Sequence, residues 1–207
     1  MKLLSTKTIR LDTTALRKMS LSSALFLLAG FISCMGQGTL QITFDGPPAQ
    51  PSGTGVLLSE YVERGMFFSV TNPVPEAGDS FILSGGGIEG TPENGTAYIQ
   101  SQPSGLLFRF IDDSSFGLRS LDLAGYSDVL PDIVLDLVGY RSDGSTLRNS
   151  FTGTGIGWRT VYFNEEWASG LSRVEIPGAT YWSIDNVIIV VPEPASGALL
   201  AFGAFAA

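Results

Sequence analysis

The chain has 207 residues, 44% of them hydrophobic, with 20 acidic residues, 12 Lys and Arg, no His and one Cys. From Gln37 onward 19 acidic residues face 7 Arg and no Lys, a net of −12. This excludes a nucleic-acid partner, which needs clustered cations to release counterions. It also excludes an internal disulfide, a thiolate zinc site, and any Ser-His, Cys-His or Lys-based nucleophile system in that region.

In chain order, residues 1–18 carry Lys2, Lys7, Arg10, Arg17 and Lys18, and no charge follows until Asp45. The apolar stretch "ALFLLAGFI" (24–32) leads into the small residues "SCMGQG". A basic start, a short apolar core and a small-residue exit predict a secretory signal peptide over 1–36, helical while in use. The core is too short to span about 30 Å of hydrocarbon comfortably. A second reading is a lipoprotein anchored through Cys34, because Ser33 precedes Cys34 as in a lipobox, although Phe31 departs from the usual Leu.

Residues 39–190 predict strands separated by Gly, Pro, Asn and Asp clusters, with no 3.6-residue period. Eleven strands are expected at 39–44, 66–70, 80–84, 97–101, 106–111, 117–123, 132–140, 145–152, 158–163, 171–176 and 182–191. Asp143-Gly144 predicts a two-residue hairpin turn between the seventh and eighth. In "LSRVEI", Val174 and Ile176 are expected to face the core while Arg173 and Glu175 face water. So many short strands imply an all-β fold, a two-sheet β-sandwich of the jelly-roll kind.

Three kinds of chemistry are open to these residues. Asp45, after the first strand, and Asp185, in the last, would approach each other if those strands pair. Asn186 and loop carbonyls would then complete a shell for a structural calcium. The competing reading makes Asp45 a turn residue and has Asp185 bonding to neighbouring backbone. No other cofactor is expected.

For sugars, the aromatic-rich stretch 158–182 offers Tyr162, Trp167 and Tyr181 as ligand contacts, with Trp167 in polar "NEEWASG" the one expected at the surface. Trp158 and Trp182 read as core. For catalysis, Glu165 and Glu166 are adjacent, which does not suit a pair of glycosidase carboxylates facing each other across a bond. The Gly-rich "SGGGIEG" (84–90) reads as a loop, since no helix follows it.

The chain closes on "VPEP" and "ASGALLAFGAFAA". Two prolines end a strand and keep the linker extended, and the tail can partition into lipid. Pro192, Glu193 and Pro194 with this tail resemble the PEP-CTERM sorting signal of Gram-negative bacteria. The resemblance implies an exosortase-type processing enzyme as a partner, passing membrane contact through both termini, and delivery to the cell envelope or extracellular matrix. The tail (191–207) departs from the family in being short and in lacking a terminal basic cluster: 13 residues follow Pro194, about 20 Å as a helix. More loosely, "VGYRSDGSTLRNSF", "GWRTVYF", "GLSRVEIPG" and "WSIDNVIIV" resemble jelly-roll passenger domains of such proteins, similar in outline to carbohydrate-binding modules and galactose-binding-like domains.

The expected protein is therefore a secreted, non-catalytic sandwich that contacts exopolysaccharide. Two alternatives stand beside it: a purely structural or adhesive matrix protein without a ligand pocket, and a divergent polysaccharide-active enzyme.

Overall fold

A computed structural model describes residues 37–48, 50–71, 80–101, 104–178 and 181–192. The expected signal helix, the short C-terminal helix, and Glu193 and Pro194 lie outside these residues. Among the described residues no helix is long and apolar enough to cross a membrane.

The described residues form thirteen strands: β1 (Gln37–Ile42), β2 (Gly55–Leu58), β3 (Glu60–Glu63), β4 (Met66–Thr71), β5 (Phe81–Ser84), β6 (Tyr98–Gln100), β7 (Gly105–Phe110), β8 (Gly117–Ala124), β9 (Asp132–Arg141), β10 (Thr146–Thr154), β11 (Arg159–Tyr162), β12 (Leu171–Ile176) and β13 (Ser183–Pro192). A single 3-10 turn, Glu165–Trp167, lies between β11 and β12. All eleven expected strands are present. β2 and β3 were not expected. Each is only four residues long, with two alternations of burial to betray it.

The strands build two antiparallel sheets. One runs β11-β8-β13-β6-β5-β2, with β1 also on β13; the other runs β10-β9-β12-β7-β4-β3. From β7 onward the chain passes back and forth between them, apart from the β9–β10 hairpin within the second sheet, as a jelly roll does. The first and last strands pair, from Gln37↔Pro192 to Ile42↔Val187.

The core lies where the inner faces meet. Leu118, Leu121 and Leu123 of β8 and Ile184, Val187 and Ile189 of β13 join Phe68, Phe108, Leu135, Leu137, Val174 and Ile176 of the other sheet, all essentially buried. Phe68 stacks on Phe108 with ring centroids 5.4 Å apart. Each such side chain contributes about 1.5–3 kcal/mol by leaving water. Val174 and Ile176 face inward while Arg173 and Glu175 stay half-exposed, as the alternation requires.

The Asp143-Gly144 turn differs from expectation. Arg141 N–H donates to Ser145 O (2.9 Å) and Gly144 N–H to Arg141 O (3.0 Å), closing a three-residue loop, Ser142 to Gly144. Gly144 takes φ +85°. A turn followed by a left-handed glycine matches strand twist as well as a two-residue turn does, so sequence alone does not separate them.

Two irregularities interrupt the pairing of β8 with β13. On β13, Asp185 pairs with Asp122 and Ile188 with Ser120, three steps against two. The extra residue falls at Asn186, whose φ is +48°. On β8, Ile188 pairs with Ser120 but Ile189 with Leu118, so Arg119 is the extra residue of a second bulge. Bulges turn side chains out of the normal alternation.

Candidate functional site

The expected ligand-contact residues separate on folding. Trp167 is corrected: it is 1% exposed and belongs to the core, so it cannot offer a face to a sugar. The 3-10 turn drives it inward. Asn164 Oδ1 accepts from Glu166 N–H (3.2 Å) and caps the turn, and the Trp167 ring packs 5.1 Å from that of Phe163. Two glycines make room. A Cβ on Gly139 would lie 3.0 Å from the Trp167 ring, and one on Gly117 would lie 2.0 Å from Ala168 O. The polar letters around Trp167 belong to the turn's outer side; the glycines in β8 and β9 were the signal for a buried indole.

Trp182 is buried as expected. Trp158 is half-buried, edge-on to Tyr98 at 5.2 Å.

Tyr162 stands on the outer side of the edge strand β11 and is 71% exposed. Val161 and Phe163 turn the other way, toward the core. Tyr162 borders a hollow of about 300 Å³ shared with Arg119, Asn164 and Glu165 and backed by Leu118 and Val190. Arg119 reaches this hollow from the β8 bulge, and its backbone O accepts from Phe163 N–H (3.0 Å), which ties the two walls together. Glu165 enters the hollow from the capped turn, where Arg141 Nη2 donates to the neighbouring Glu166 O (2.6 Å). The hollow thus sets an exposed aromatic face beside a cation, a carboxylate and an amide. That combination suits a polyhydroxylated ring, whose apolar face stacks while its hydroxyls exchange hydrogen bonds. Arg119, Asn164 and Glu165 were not among the residues expected to touch a ligand, because neither a bulge nor a 3-10 cap is visible in a strand-period pattern.

Tyr181 lies apart from this hollow. Its ring meets Tyr126 edge-on at 5.3 Å, and with Val129, Leu130, Pro131, Asp132 and Val134 it lines a second hollow of about 270 Å³.

Asp45, Asp185 and Asn186 do come together, because β1 and β6 lie along the same flank of β13 and part at Asp185. Asp45 accepts from Ala97 N–H (3.0 Å). Asp185, fully buried, accepts from Asn94 Nδ2 (2.6 Å), Thr96 Oγ1 (2.9 Å) and Asn186 N–H (2.6 Å). Asn186 bridges onward, donating to Asp122 (2.9 Å) and accepting from Gln41 (2.7 Å). Burial, with a smaller push from the charge of Asp45, raises the Asp185 carboxyl to about 6. The oxygens of Asp185 accept from these N–H and O–H groups, the competing reading of that residue, and among the described residues no group of three Asp, Glu, Cys or His that could hold a metal ion is found. As it stands, the cluster stitches the Gly-rich segment before β6 to the fork between β1 and β6.

Glu165 and Glu166 are both exposed on one turn. The segment 84–90 is a loop with left-handed glycines at Gly86, Gly87 and Gly90, held by Glu93, which accepts from the N–H of Gly87 and of Gly95.

Neither a protein-family model nor a curated protein sequence matches the chain. Among solved structures, it is similar to part of the CBM22-1-GH10 modules of Clostridium thermocellum endo-1,4-β-D-xylanase 10B complexed with xylohexaose (12% identity, 75% of this chain and 28% of that one, TM-score 0.32). It is also similar to the C-terminal family 22 carbohydrate-binding module of that enzyme (12% identity, 74% and 92%, TM-score 0.32). A third likeness is to a Podospora anserina β-(1,4)-mannanase with a family 35 module (13% identity, 76% and 28%, TM-score 0.29). The chain therefore spans little more than a quarter of the length of the first and third.

Proposed function

We propose that this chain is an exported, non-catalytic β-sandwich that contacts exopolysaccharide through the hollow at Tyr162. The observation that carries this reading is the exposed ring of Tyr162 standing beside Arg119, Asn164 and Glu165 over a buried apolar backing. In the same reading residues 1–36 are a secretion signal, and Pro192, Glu193 and Pro194 open a PEP-CTERM-type tail read by an exosortase-type enzyme.

The binding test is affinity electrophoresis of the 37–192 sandwich through gels containing a panel of neutral and acidic polysaccharides. Retardation that disappears in Tyr162→Ala, with an unchanged melting temperature, is the expected result. Migration unaffected by every polymer would overturn the binding role. Delivery is tested separately by mass spectrometry of the protein recovered from envelope fractions: both ends should be trimmed, and an intact chain confined to the cytoplasm would defeat that part.

A further inference from the structure

We propose that the sugar taken by the Tyr162 hollow is acidic, a uronate whose carboxylate meets the guanidinium of Arg119. This inference rests on the polysaccharide reading above and narrows its ligand class.

Seven arginines lie in the sandwich, and five are engaged. Arg64 lies 3.9 Å from Glu63, and Arg109 pairs with Asp113. Arg141 and Arg159 donate to the backbone oxygens of Glu166 and Thr152. Arg173 lies 4.0 Å over the Tyr140 ring and bonds Glu175 (3.1 Å). Arg119 and Arg148 have no side-chain hydrogen bond or ion pair among the described residues. Arg148 sits on the outer edge strand β10, lining neither hollow. Arg119 lines a hollow and is brought there by a β-bulge, a local irregularity that re-aims one side chain at the expense of ladder pairing.

The second observation is the spacing of charges within the hollow. Arg119 and Glu165 line the same hollow yet form no ion pair. Glu165 belongs to the capped 3-10 turn and Arg119 to β8, so the two charges enter the hollow from separate elements. A uronate satisfies both. Its planar carboxylate matches the two-pronged guanidinium, its ring hydroxyls donate to Glu165, and its apolar face lies on Tyr162. A neutral sugar would leave the cation with hydroxyls alone. The surrounding net charge of −12 repels an anionic polymer at a distance, but that repulsion is screened beyond about 8 Å at physiological salt, whereas a direct carboxylate contact is not.

The experiment compares polygalacturonate with the same polymer after carboxyl reduction, by affinity electrophoresis and calorimetry in about 0.15 M salt. Wild type, Arg119→Gln, Arg119→Lys and Tyr162→Ala are run in parallel, each checked for an unchanged melting temperature. Wild type should bind polygalacturonate roughly tenfold more tightly than the reduced polymer, the scale of one charge-assisted contact. Arg119→Gln should abolish that preference while keeping weak binding to both polymers, Arg119→Lys should retain part of it, and Tyr162→Ala should lose both. Equal wild-type affinity for the two polymers, or a preference that survives Arg119→Gln, would overturn the acidic-sugar assignment and leave the polysaccharide reading standing. No binding to either of these polymers, with retention by another neutral polysaccharide, would likewise overturn only the assignment. No binding to any polysaccharide would overturn both.

Discussion

Two tyrosines, Tyr162 and Tyr181, border hollows of nearly equal size, about 300 and 270 Å³, and the surroundings differ in almost every other respect. Tyr162 faces Arg119, Asn164 and Glu165. Tyr181 faces Val129, Leu130 and Val134, and Val129 is 82% exposed. The first hollow includes Thr39 and Val190, close to where the chain enters and leaves the sandwich. The second includes Tyr181, just before β13 begins, about 30 Å away along that ten-residue strand. An aromatic ring and a concavity are thus shared by a surface equipped with several converging polar groups and by one that is mostly apolar, with Asp132 as its one charged residue. Polar groups converging on the ring separate the two.

The strongest way to break this comparison is to remove what holds the polar wall. Trp167→Ala should cost about 3–5 kcal/mol in a urea titration, as for other buried large aromatics, and should weaken glycan retention by releasing the turn that carries Asn164 and Glu165. Full stability in that variant would show that the turn is positioned from elsewhere.

Next comes the fork beneath the Gly-rich segment. The Asp185 carboxyl is raised from 3.8 to about 6. Because the folded value lies above the unfolded one, its stabilising contribution is complete below about pH 3.8 and lost as the pH rises through about 6. Asp112 and Asp143 are held below the ordinary value by Ser114 and Ser145, which gives the opposite slope at lower pH. The expected result is therefore a difference: the stability gap between wild type and Asp185→Asn should shift against wild type by on the order of 3 kcal/mol between about pH 4 and 7. A gap independent of pH would mean that this carboxylate is better solvated than its neighbours allow.

Smaller effects separate the two hollows directly. Tyr181→Ala should cost about 1 kcal/mol through its lost contact with Tyr126 and leave polysaccharide retention unchanged. Loss of retention here, with none in Tyr162→Ala, would reverse the assignment of the two sites. Val129→Ser should change stability by no more than about 0.5 kcal/mol while lowering dye binding or concentration-dependent association through the apolar rim. If association alone proved to depend on Val129, and no polysaccharide bound at all, an adhesive role would be the better reading.

The strands were legible because burial enforces a period of two. The run Leu171–Ile176 carries that period from Val174 on, whereas Ser183–Pro192 is legible as a nearly continuous apolar run whose alternation the bulge breaks; the approach of Asp45 to Asp185 was expected only on the condition that the first and last strands pair. β2 and β3 escaped because four residues hold too little alternation, and Leu57 of β2 is largely exposed. The site was legible only in Tyr162. Trp167 misled because exposure was judged from sequence neighbours, while its burial depends on Gly117 and Gly139, which are distant in sequence. Arg119 was invisible for a related reason: a bulge is a property of two strands in register, and one strand's letters do not contain it. Asp45 and Asp185 were placed together correctly, yet the donors that surround Asp185 come from Asn94 and Thr96, 91 and 89 residues before it.

The pairing of β1 with β13 also bears on mechanics. β13 is bonded along one flank to β8 and along the other to β6 and β1, and it runs to the last described residue, Pro192. Tension applied there and directed along the strand would load the ladders on both sides in shear, so that they rupture together rather than unzip one bond at a time. A tether attached at that point would pull on the most securely clamped rod in the sandwich, which should yield only at high force.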